Sequence, residues 1–78
     1  MPTVKIKATE VREGTPFPIE VKGSGVVTLT IRVGGKVVAT KEVIPPTVYA
    51  YEPPLGSGGK TVRVSVKGDF DSAFILKP

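Results

Sequence analysis

The chain has 78 residues, a formal net charge of +4 from 11 Lys and Arg against 7 Asp and Glu, and no Cys, His or Trp. A chain of this size buries only about 60% of the surface its unfolded form exposes, so a single domain over residues 1–78 is expected and a second is excluded. Without Cys or His there is no disulfide framework, no thiolate or imidazole metal site and no imidazole general base. Most enzyme classes fall with them, and no cofactor is implied.

In chain order, the apolar residues alternate with polar ones between Gly and Pro, and no stretch repeats them at helical spacing. The first strand runs through Val4-Lys5-Ile6-Lys7-Ala8, with Val4, Ile6 and Ala8 on one face. After Glu13-Gly14-Thr15-Pro16 comes Phe17-Pro18-Ile19-Glu20-Val21-Lys22, which turns Phe17, Ile19 and Val21 inward and requires an outward or edge-like place for Pro18. Gly23-Ser24-Gly25 leads to the cleanest strand, Val27 to Val33. Gly34-Gly35 then supplies a two-residue hairpin in which both positions accept positive φ. The return strand, Lys36 to Val43, lacks a single apolar face and suits a sheet edge, guarded by Lys36, Lys41 and Glu42. Pro45-Pro46 breaks the ladder before Thr47 to Glu52, where Tyr49 and Tyr51 are expected to pack at least partly inward. A proline-glycine loop, Pro53 to Gly59, precedes Thr61 to Lys67, with Val62, Val64 and Val66 inward. Gly68-Asp69 turns the chain into a last strand from about Phe70 to Leu76. The expected fold class is all-β, a single seven-stranded immunoglobulin-like antiparallel β-sandwich.

Three segments carry a resemblance. Val11 to Val21, the hairpin Arg32 to Ala39, and Tyr49-Ala50-Tyr51-Glu52-Pro53-Pro54-Leu55-Gly56-Ser57-Gly58-Gly59-Lys60-Thr61-Val62 together resemble prokaryotic immunoglobulin-like or fibronectin type III-like extracellular modules. The resemblance lies in the pattern of β residues and turn glycines, and it brings no functional residues with it. It implies a spacer, an adhesive unit or a building block of an extracellular assembly, with protein partners that are copies of itself or neighbouring modules, and with homo-oligomer or filament contacts.

Candidate sites are few. Asp69 and Asp71 flank Phe70 beside a turn, where Asp is favoured for local hydrogen bonding; a calcium site would need six to eight oxygens. Glu10, Glu13, Glu20, Glu42 and Glu52 are dispersed and read as surface charges. Lys5, Lys7, Lys22, Arg32, Lys36, Lys41, Lys60, Arg63 and Lys67 mostly fall on outward positions, which suits a solvated face first and a basic sheet face as the alternative. Nucleic acid is disfavoured as a partner because the aromatics sit at apolar positions rather than among these charges. The glycines of Gly56-Ser57-Gly58-Gly59 do not form a phosphate loop, since a strand and not a helix follows. Phe74-Ile75-Leu76 must place side chains on both faces of a sheet, which makes these three residues the candidate interface, through an edge strand or a sheet face, unless a loop or the first strand covers them.

The chain also lacks Asn and Gln. With Cys absent and Met scarce, this is the profile of a hyperthermophile protein, and a designed immunoglobulin-like scaffold without native function shares it. A small basic nucleic-acid-binding β domain and a virion decoration or tail module are further alternatives. No apolar run is long enough to span a bilayer, and Met1-Pro2-Thr3-Val4-Lys5 lacks the apolar core of a signal peptide. An extracellular or cell-surface location therefore calls for a leader outside this sequence.

Overall fold

The computed structural model describes residues 2–77. All its regular elements are strands: β1 (Thr3–Ile6), β2 (Glu10–Arg12), β3 (Phe17–Lys22), β4 (Val27–Val33), β5 (Lys36–Val43), β6 (Thr47–Tyr51), β7 (Thr61–Val66) and β8 (Asp69–Leu76). They form two sheets, a three-stranded one in the order β1-β3-β6 and a five-stranded one in the order β2-β8-β7-β4-β5. The alternating residues of each strand meet between the sheets. Ile19 and Val21 of β3, Leu29 and Ile31 of β4, Val62 and Val64 of β7 and Ile75 of β8 are fully buried there. Each contributes about 1.5–3 kcal/mol of burial, and this layer is what holds a chain with no cross-link together.

The count is eight strands, where the sequence pattern gives seven, because the first strand divides. Val4 and Ile6 face the core from the three-stranded sheet, but the chain bends at residues 7–9 and Ala8 is left exposed. The chain then crosses to the other sheet, where β2 pairs with β8 in parallel, Val11 opposite Ile75. That pair also corrects the purely antiparallel expectation; the other strand pairs are antiparallel. Crossing gives Val11 a place in the core that continuing along the three-stranded sheet would not.

Other expectations are met. Gly34 and Gly35 both have positive φ, 60° and 85°, as the hairpin between β4 and β5 demands. Pro18 is exposed and lies beyond the end of β1, whose register with β3 stops at Ile19, so its missing N–H faces no strand partner on that side. Tyr49 and Tyr51 pack against the core while Val48 and Ala50 face outward, and the Tyr51 ring meets Phe17 edge-on at 5.9 Å. Strand β5 is the edge of its sheet, paired with β4 alone. Lys41 stands opposite the buried Leu29, and Lys36 opposite Val33, on the core-side face of that edge. The turn before β8 falls at Lys67-Gly68, and Asp69 already belongs to the strand.

A candidate interaction face on the five-stranded sheet

Alternation in β8 sends Ala73 and Ile75 into the core and Phe70, Ser72, Phe74 and Leu76 to the opposite face. The three candidate interface residues are thereby separated. Ile75 is fully buried, Leu76 is half-buried, and Phe74 is 44% exposed. Their backbone is not an open edge, since β2 takes the outer side of β8 with Glu10, Val11 and Arg12 opposite Phe74, Ile75 and Leu76. Strand β2, which follows the strand expected at Val4 to Ala8, covers this position, so what β8 offers a partner here is the outward side chain of Phe74 and the sheet face around it.

That face has a composition the sequence did not expose. Phe70 is 58% exposed on it, which corrects the expectation that the aromatics sit at apolar positions. In β7 the outward residues are Thr61, Arg63 and Ser65, and in β4 they are Thr28, Thr30 and Arg32. Strand register lines up Ser72, Arg63, Arg32 and Val37 in one row across four strands. Phe70, Ser65, Thr30 and Thr40 form the next. The Arg63 guanidinium carbon lies 3.9 Å from the centre of the Phe70 ring, a cation–π contact. The Arg32 Nη1 donates to the Ser65 hydroxyl at 3.4 Å. Arg12 adds a third arginine at the β2 margin, since Val11 beside it points inward. All three arginines of the chain thus share one face. None of them makes an ion pair among the described residues, where the pairs are Lys7–Glu20 at 3.4 Å and Lys22–Glu20 at 3.6 Å. Glu42, opposite Thr28, and Glu10 stand at the lateral margins. A shallow open pocket lined by Arg32, Arg63, Thr61, Gly34 and Gly35 lies beside the arginine row.

The basic residues do not form one face. Lys5, Lys7 and Lys22 belong to the three-stranded side, where Lys7 and Lys22 converge on Glu20. The Lys7 hydrogen bond, reinforced by Lys22 against a smaller opposing effect of burial, holds the Glu20 carboxyl below the usual carboxylate range.

Two other carboxylate assignments are corrected. Asp69 and Asp71 are not in a solvated turn. Their Oδ2 atoms accept the backbone N–H groups of Val4 at 3.0 Å and Ile6 at 2.8 Å, so they close the free edge of β1 and tie one sheet to the other. Glu13 is not a bare surface charge either. Its Oε2 accepts the N–H groups of Gly56 at 2.7 Å and Gly58 at 2.8 Å, while the Gly14 N–H donates to the Pro53 carbonyl at 2.8 Å. The glycine loop does gather amides around an anion, but the anion is the protein's own carboxylate. Only partners 43 to 65 residues apart reveal these roles, and nothing local signals them.

No protein-family model matches the chain, and no curated protein matches its sequence. Among solved structures, the fold is similar to the fibronectin(III)-like modules of Clostridium thermocellum CbhA, with a TM-score of 0.61 at 14% sequence identity over 99% of this chain and 98% of that one. The architecture is therefore a fibronectin type III-like β-sandwich. No helix among the described residues is long and apolar enough to cross a membrane.

Proposed function

We propose that the chain is a non-catalytic structural or binding module of a cell-surface or extracellular assembly, and that it meets protein partners through the outer face of the β2-β8-β7-β4-β5 sheet. The observation that carries this is the concentration of exposed Phe70, Phe74 and Val37 with all three arginines on that one face. Aromatic residues and Arg are enriched, and Lys depleted, where proteins dock. The likeness to fibronectin(III)-like modules supports a module that works by presenting a surface, and residues 1–78 supply one such unit. Absence of Asn, Gln and Cys supports a thermophilic source.

Two measurements test it. The gene region around this sequence should encode an export leader and adjoining modules. Titrating the isotope-labelled chain with those adjoining modules should shift backbone amides of β8, β7 and β4, and the shifts should be lost in the double variant Phe70→Ser, Phe74→Ser. Shifts confined to the loops or to the three-stranded sheet, or a protein retained in the cytoplasm, would refute it.

A further inference from the structure

The chemistry of the face narrows what it takes. Cross-strand neighbours of like charge repel, yet Arg63 and Arg32 stand directly opposite each other in the β4–β7 register. No carboxylate of the described chain reaches either one within ion-pair distance. Arg63 is held over Phe70 and Arg32 against Ser65, so both guanidinium groups are positioned rather than free-ranging. The pocket they line with Thr61 and the Gly34-Gly35 turn adds one hydroxyl and no carboxylate. Of the lysines that would broaden a purely electrostatic footprint, Lys5 is on the other sheet, Lys7 and Lys22 are spent on Glu20, Lys36 and Lys41 are on the core-side face of the edge, and Lys60 lays its stem beside Gly34 at the end of the face.

We infer that this face docks an acidic protein segment, whose carboxylates pair with Arg63 and Arg32 while its apolar side chains cover Phe70, Phe74 and Val37. A planar guanidinium grips a carboxylate through two parallel hydrogen bonds, and the flanking apolar residues exclude water from that pairing. A second copy of this chain does not fit, because it would bring arginine against arginine on a molecule of net charge +4. Single-stranded nucleic acid fits less well. Stacking needs open ring faces, and Arg63 already lies over one face of the Phe70 ring. This inference rests on the proposed role of the sheet face and adds the partner's chemistry to it.

The test is a titration of the isotope-labelled chain, followed by backbone amide shifts, with four probes. They are a short peptide alternating Glu with Val and Phe, the same peptide with Thr in place of Glu, the same with Lys in place of Glu, and an oligothymidylate. The Glu peptide should bind saturably and shift Arg63, Ser72 and Arg32, with affinity falling as salt rises. Arg63→Gln and Arg32→Gln, both surface changes that leave the core intact, should each weaken it by roughly tenfold, and Arg63→Lys should restore part of the loss. If the Thr peptide binds the same face equally well, the face docks protein but acidity is not what it selects, and the inference falls while the proposed function stands. Tighter binding of oligothymidylate, or no saturable shift on this face from any peptide up to millimolar concentration, overturns both.

Discussion

Asp69 and Asp71 are in effect a side-chain strand. By accepting the Val4 and Ile6 amides they satisfy donors that point away from β3, at the seam between the sheets. Removing such an acceptor leaves a part-buried N–H without a partner, which costs about 1–3 kcal/mol. Asp71→Ala should therefore unfold at lower denaturant concentration with an unchanged m-value, and its Tm should fall by about 4–8 °C per kcal/mol lost. Glu20 gives a pH-dependent counterpart. Its carboxyl is held below its ordinary value by Lys7 first and Lys22 second. A depressed folded-state pKa contributes stability above the unfolded value and loses it as pH falls through the folded one, so its contribution is present at neutral pH and disappears in the acid range. A carboxyl-carbon NMR titration should place the Glu20 midpoint below the ordinary glutamate value, and Lys7→Ala should move it upward. Tyr51 is displaced the other way: burial, with Tyr49 adding, pushes its phenol up.

At the scale of elements, what the sequence revealed and what it hid divide along the range of the interactions. Most of the strands are legible by alternation within their own residues, as Val27 to Val33 is, while β5 is legible from the Gly34-Gly35 turn before it and from its lysines. The facing of β6 follows from the bulk of Tyr49 and Tyr51. Strand β2 has one apolar residue, Val11, between Glu10 and Arg12, too short a pattern to read, and its existence depends on a partner strand more than 60 residues away. The interaction face was hidden for a similar reason. Arg32, Arg63 and Phe70 are unremarkable outward residues until strand register sets them side by side. Strand β5, in contrast, announces its exposure by its lysines. Lys41 stands exposed opposite Leu29 on the core-side face, where an apolar residue would invite another chain to pair. Lys41→Val should leave the fold intact and promote association, detected by light scattering as oligomers at protein concentrations about tenfold lower than those at which the parent first self-associates.

For the molecule as a whole, the division of its first strand and the parallel course of β2 beside β8 fix where the chain enters and leaves. Val4 lies by Asp69 at one end of β8, and Val11 by Ile75 at the other. Thr3 and Leu76 are consequently separated by the length of β8, roughly 26 Å at about 3.3 Å per residue, along a body 36 Å in its longest dimension. Tension applied through the two ends would run along β2 and β8 in opposite senses and load their shared hydrogen bonds in shear, including Phe74 N–H to the Thr9 carbonyl and Glu13 N–H to the Leu76 carbonyl. Bonds loaded side by side must break together, whereas a hairpin pulled from its open end unzips one bond at a time. Pulled singly between two handles, the module should hold to a sharp rupture force that drops in Val11→Pro, which removes a strand donor from this seam. Placed in a string of such units, this seam would make each one a link that carries load.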